Sequence, residues 1–232
     1  MKARLRTILR ARMPAVTIHG RGGHASQPHA TVDPVVIASS IVVRLQSIVS
    51  REVNPVEPAV VTVASIHAGE TENVIAAFAE MKINIRTFSE EARARVLSSV
   101  KRIIQAECDA GACPKPPEYH RISDYPLTDN DAEVTGKLGK AMSAHFGKDF
   151  EPKSGYLGGS EDFPHLGKAA GAPYCYFVYG GVDPQIWDEH EKAGTLKELP
   201  INHSAFFAPI IQPTLKTAVD AYALAALEWL EK

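Results

Sequence analysis

Cysteine is scarce in this 232-residue chain: Cys108, Cys113 and Cys175 make an odd number with no repeated spacing. A disulfide framework does not fit that pattern, and plain unpaired thiols point to a reducing cytoplasm. An excess of either charge is lacking too. Lys and Arg number 25 against 27 Asp and Glu, a formal net charge of -2, so the concentrated basic surface that nucleic acid requires is not expected. The longest apolar runs, such as Val35 to Val43, fall far short of the roughly 20 residues that span a bilayer. No apolar signal-type segment follows the basic start, and no membrane association is expected. Internal repeats, low-complexity tracts, a nucleophile elbow, an HExxH motif and a phosphate loop are all missing. What remains is 45% hydrophobic and 22% charged, ordinary for a globular protein of one large domain or two small ones.

The first residues stand apart, with Lys2, Arg4, Arg6, Arg10 and Arg12 and no acid up to Arg12. We read residues 1–14 as an irregular basic arm. Ala15 to His19 is then a short strand leading into the turn Gly20-Arg21-Gly22-Gly23. Asp33-Pro34 is a helix start, an N-cap acceptor followed by a residue whose missing N–H costs nothing in the first turn. Ala38, Ile41, Val42, Leu45 and Ile48 follow at helical spacing. Ala59 to His67 is a β-branched run, and in Glu80 to Phe88 the residues Met81, Ile83 and Ile85 alternate with Lys82, Asn84 and Arg86. Val96, Leu97, Val100, Ile103 and Ile104 mark a second helix, stopped by Gly111 and the Pro114–Pro117 breakers, before a weaker strand from Glu118 to Tyr125. In order this is β-α-β-β-α-β over residues 15–125, a ferredoxin-like domain with two helices on one face of an antiparallel sheet.

Residues 126–232 have a different rhythm. A helix is predicted from about Asp131 to Phe146, and a turn with Gly155, Gly158 and Gly159 leads to a short helix starting near Ser160. Pro173 to Tyr179 reads as a buried strand, and Gly180 to Ser204 as a long irregular loop. A last helix from about Pro213 carries Leu215, Ala218, Val219, Tyr222, Ala226 and Trp229 on its buried face. These helices have too few strands for a sheet of their own, so this half reads as part of an α/β domain.

Taken singly, the polar motifs have plain explanations. His24 and His29 lie five apart in a loop with no local carboxylate or cysteine to complete a metal site. Asn73 closes a turn, Arg86 lies on the polar face of a strand, and Ser160 with Glu161 and Asp162 suits a helix cap. Arg86 also suits bidentate capture of a carboxylate. Their order along the chain carries more. Gly22-Gly23-His24-Ala25-Ser26 through Pro28-His29, with Val32-Asp33-Pro34, then Glu72-Asn73-Val74-Ile75, Ile83 to Phe88, Gly158 to Phe163 and Asn202-His203-Ser204 together resemble the zinc-dependent aminoacylase and carboxypeptidase family. The likeness is greatest to its hippurate hydrolase, auxin-conjugate hydrolase and N-acyl-L-amino acid amidohydrolase branch, and covers about Val16 to the C-terminus.

The resemblance implies a ferredoxin-like lid and dimerisation domain over 15–125, followed by the C-terminal part of an α/β catalytic domain over 126–232. It implies hydrolysis of N-acyl amino acids or peptide-like substrates by a metal-activated water, with a divalent metal (zinc, manganese or cobalt) in the intact enzyme and a homodimer formed through the lid. His24 and Asn73 would be oxyanion donors, with the residue matching His24 reaching across the dimer interface in several members. Arg86 would hold the substrate carboxylate, Gly158 and Gly159 would let backbone approach the substrate, and His203 would be a metal ligand. Family members place the other ligands and the general-base glutamate upstream of the lid, where this chain has no counterpart, so it is expected to be inactive alone and to carry no metal. Ala76 stands where a proline commonly follows Asn-Val-Ile. The alternative is a non-catalytic remnant serving as a dimerisation or small-carboxylate-binding module.

Overall fold

The structure is a computed structural model that describes residues 3–5, 10–152 and 159–230. In chain order the elements are β1 (Ala3–Leu5), β2 (Arg10–His19), β3 (Gly23–His24), α1 (Pro34–Ser47), β4 (Ala59–Ala68), β5 (Val74–Ile75), β6 (Phe78–Thr87), α2 (Glu90–Ala110), β7 (Glu118–Tyr125), α3 (Ala132–Phe146), β8 (Phe150–Glu151), α4 (Pro164–Ala170), β9 (Phe177–Tyr179), α5 (Pro184–Ala193) and α6 (Thr214–Leu230). They divide into two compact units, one built on residues 10–128 with 159–162, the other on the remaining described residues.

The first unit is a four-stranded sheet in the order β4-β6-β2-β7, antiparallel throughout. Its two outer strands are the second and fourth of the β-α-β-β-α-β sequence, which is the ferredoxin-like arrangement. On β6, Ala79, Met81, Ile83, Ile85 and Thr87 are buried, leaving Glu80, Lys82, Asn84 and Arg86 on the opposite face, as period-two geometry requires. The first strand begins at Arg10, five residues before Ala15, and β1 also lies in the segment expected to be an irregular arm. Its register shows why: Arg10, Ala11 and Arg12 pair with Thr87, Arg86 and Ile85, and Ala11 is fully buried. Arginine content hides a strand whose main chain completes the sheet.

Asp33 caps α1 by accepting from the Val35 N–H at 2.8 Å, and Ile37, Ala38, Ile41 and Leu45 turn into the core. The helix continues through a π-type turn from Ile48 to Glu52. Pro34–Glu52 is long and apolar enough to cross a membrane by length and composition; its core-facing side packs with Val16, Met81, Ile83 and Ile85 in one cluster. Ser89 caps α2, accepting from Ala92 N–H at 3.0 Å. The helix stops at Gly111, where a Cβ would stand 2.5 Å from Ile37 Cδ1, so glycine lets the end of α2 meet α1. The π-type turn aims Glu52 at α2: its carboxylate accepts from Ser99 Oγ at 2.6 Å and from Arg102 Nη2 at 2.8 and 2.7 Å.

The second unit holds a small sheet ordered β8-β1-β9. Its core is Leu138, Met142, Phe150 and Ala221, with Phe146, Cys175, Phe177 and Ala225 packed around them. Asp131 caps α3 through Val134 N–H at 2.9 Å. Four features of this unit differ from the sequence expectation. The strand expected from Pro173 is only Phe177–Tyr179 and is not buried, because the main chain before it bonds to the loop ahead of α3. Asp131 N–H donates to Tyr174 O at 2.9 Å, and the Asn130 side chain bonds both the N–H and the carbonyl of Tyr176. The loop from Gly180 to Ser204 contains α5, capped by Asp183 with Pro184 in its first turn. The short helix begins at Pro164, with no side-chain cap, rather than at Ser160. Last, α6 buries Thr217, Ala218 and Ala221, whereas Leu215, Val219, Tyr222 and Trp229 are about half exposed or more. The helix is apolar on more than one side, and its small-residue side is the one that packs.

Candidate functional site

The loop after β2 is built on close backbone approaches. Arg21 and Val32 exchange backbone hydrogen bonds at 2.8 and 3.0 Å, closing the loop at its base. A Cβ on Gly20 would stand 2.4 Å from the Val32 carbonyl, and one on Gly22 would stand 2.8 Å from the Ile75 carbonyl. Both are main-chain neighbours that cannot swing aside, so these two positions require glycine. With the strands that close, β3 pairs antiparallel with β5, setting His24 opposite Val74, and Ala25 N–H donates to the Asn73 carbonyl at 2.9 Å. The fold therefore brings His24 and Asn73 together, about 50 residues apart in sequence, on one exposed edge.

His24 Nδ1 accepts from the Ser26 N–H at 3.1 Å and lies 2.8 Å from Ser26 Oγ. Ser26 lies within the Gly22–Ser26 motif, but nothing in the sequence assigns it this contact, since a bond two residues away in a loop has no periodicity to reveal it. Asn84 escapes sequence reasoning for a different reason. It is one pleat from Arg86 on the same face of β6, and its Oδ1 accepts from Arg86 Nε at 3.2 Å, which orients the guanidinium. Arg86 itself is half-buried between the strands carrying Ala11 and Val60.

Arg86 is not brought to His24. β6 starts at Phe78, paired with His19 beside the His24 loop, and Arg86 lies eight residues further on, roughly 26 Å along the strand at about 3.3 Å per residue. His203 sits in the second unit, exposed, with a left-handed φ of 74°. It occupies a turn in which Ser204 N–H donates to the Ile201 carbonyl at 2.9 Å. A histidine held there costs about 1 kcal/mol or more, the kind of local strain that clusters at functional positions. A Cβ added at Gly159 would meet nothing within 4 Å, so no packing requires glycine there, and Gly158 lies outside the described residues. Glu161 and Asp162 precede α4 without capping it.

The described residues do not make a metal centre. Among them no three His, Cys, Asp or Glu side chains converge to hold an ion, His29 stays exposed in its own short turn, and His203 would be a single ligand where a catalytic zinc typically has three. Nor is there a thiol nucleophile in Cys108, whose burial pushes it up to about 12.

Residues 12–112 match the M20 peptidase dimerisation domain. Over 221 residues, 94% of this chain, it is 32% identical to thermostable carboxypeptidase 2 of Saccharolobus solfataricus, and it covers 51% of that protein. It is 33% identical over 184 residues to the N-acetyldiaminopimelate deacetylase of Listeria welshimeri, covering 79% of this chain and 48% of that one. Over most of its length the chain is similar to members of the aminoacylase and carboxypeptidase family. It spans about half the length of these relatives. Among solved structures, a chain from methicillin-resistant Staphylococcus aureus superposes with a TM-score of 0.74 at 24% identity, over 97% of this chain and 54% of that one. A Bacillus subtilis protein described as a dinuclear metal-binding peptidase of the M20 family gives 0.66 at 21%, over 95% of this chain and 50% of its own. At those identities the likeness establishes the fold alone.

Proposed function

We propose that this chain is the substrate-facing part of a metal-dependent amidohydrolase that cleaves the amide bond of N-acyl amino acids or related peptides. The relatives support the bond: a carboxypeptidase and an N-acetyl deacetylase both break an amide beside an amino acid. The observation that carries the reading is the β3–β5 clamp, in which His24 pairs with Val74 and the next N–H bonds the Asn73 carbonyl, so that His24 and Asn73 occupy neighbouring positions on its two strands. Attack on an amide develops negative charge on the carbonyl oxygen, and two preorganised donors are what that oxygen requires. Arg86, oriented by Asn84, supplies a fixed cation for the substrate carboxylate.

A divalent metal (zinc, manganese or cobalt) belongs to the intact enzyme on this reading, with His203 as one ligand and the remaining ligands on polypeptide that these residues do not include. The roughly 26 Å of strand between the His24 loop and Arg86 supports a homodimer in which His24 serves the neighbouring copy's site. The lid has a surface for such a partner: β4 is an edge strand, with Val60 and Ile66 exposed on it and Val36 and Val43 exposed on α1. A second reading, a non-catalytic dimerisation or carboxylate-binding module, is favoured by the lack of a converged ligand set among the described residues.

Both readings are tested by titrating the chain with N-acetyl-L-alanine and with its C-terminal amide while following side-chain NMR signals of Arg86. The carboxylate should shift them and the amide should not. Equal response to the two compounds would remove Arg86 from the site.

A further inference from the structure

The His24 ring has one partner whose direction is chemically fixed. A backbone N–H only donates, so the Ser26 N–H at 3.1 Å requires Nδ1 to present its lone pair. The Ser26 hydroxyl, 2.8 Å from the same nitrogen, rotates to donate there as well. The opposite tautomer would set a proton on Nδ1 against the Ser26 N–H. The main chain that carries the ring is itself held on both sides. It pairs with Val74, and its carbonyl accepts from Gln27 N–H at 2.9 Å.

We propose that Ser26 is a positioning residue that holds neutral His24 as the tautomer protonated on Nε2. The consequence deepens the proposed function and rests on it: Nε2–H, on the ring edge away from Ser26, is the donor an oxyanion needs, whereas the other tautomer would turn a lone pair toward that oxygen and repel it. Which ring nitrogen carries the proton is set by the bond the other one makes, and here the second bond comes from a residue that never touches substrate.

The tautomer is read without any hydrolysis assay. The chain is labelled with 15N-histidine and long-range 1H–15N correlations are recorded near pH 8, about 1.5 units above the ordinary histidine value. The His24 signals are assigned by their loss in His24→Gln. The wild-type ring should show Nε2–H with no detectable Nδ1–H form. Ser26→Ala, which loses the hydroxyl and leaves the N–H as the one donor to Nδ1, should bring in a partial Nδ1–H population, and Ser26→Thr, which keeps both donors, should restore the wild-type pattern. An Nδ1–H signal in the wild type, or a Ser26→Ala spectrum identical to it, would overturn the proposal. A tautomer that behaves as stated in a chain whose Arg86 ignores carboxylates would instead count against the function alone.

Discussion

Glycine at position 22 shows how one missing atom shapes the site. Its absent Cβ leaves room for the Ile75 carbonyl, 2.8 Å from where that atom would be, and so lets β3 lie against β5. Gly22→Ala should push the two strands apart, at a cost of about 1–3 kcal/mol typical of overpacking. The measurable sign is faster hydrogen exchange at the Ala25 amide, which bonds the Asn73 carbonyl; unchanged protection there would mean the loop can shift without releasing His24. At this scale the sequence is informative about residue types and silent about partners. His24, Asn73, Arg86 and His203 stand out by motif, because ordered motifs survive in a linear string. Ser26 and Asn84 act through contacts two residues away, and the left-handed backbone of His203 has no residue signature, since only glycine announces that conformation in a sequence.

Helix starts in this chain are legible where a cap acceptor, a proline and an apolar stripe coincide, as at Asp33-Pro34. The same pair at Asp183-Pro184 starts α5, yet α5 buries no side chain, so no stripe announces it. Strand β6 is legible from strict alternation, whereas the Arg10–Pro14 stretch of β2 is not, because its pairing depends on β6 rather than on local composition. Between elements, the Glu52 contact joining the π-type turn to α2 gives a pH-dependent prediction. Hydrogen bonds from Ser99 and then Arg102 hold the Glu52 carboxyl below its ordinary value of 4.5. A carboxyl lowered in the folded state adds stability that is fully present above the unfolded value and lost as pH falls through the folded one. Glu52 is partly solvent-exposed, so Glu52→Gln should cost only about 0.5–1 kcal/mol at neutral pH. In urea melts that difference should shrink to nothing as pH drops well below 4.5. A difference that persists in acid would point to packing rather than charge.

Across the whole molecule the two units differ in how well they cover their apolar surface. The first buries a continuous core of Ile, Val, Met and Leu between sheet and helices. In the second, Leu166, Ile201, Phe206, Ile211, Leu215 and Leu230 are all more than half exposed, more than a small globular unit usually leaves in water. Limited proteolysis should therefore leave a resistant fragment close to residues 10–128, with the second unit cut first and binding hydrophobic dyes while intact. A resistant fragment drawn from residues 129–230 would reverse that order. The exposed surface also fits a chain that spans about half the length of its relatives.

On the proposed function, these residues supply the substrate-facing groups of an amidohydrolase but not its metal centre. Metal content of the purified chain, by mass spectrometry after equilibration with zinc and removal of loosely bound ions, tests that most directly. Far less than one metal per chain is expected, in line with the single candidate ligand His203 among the described residues. One tightly held zinc per chain, lost in His203→Ala, would contradict it and show that a complete centre is assembled from these residues alone.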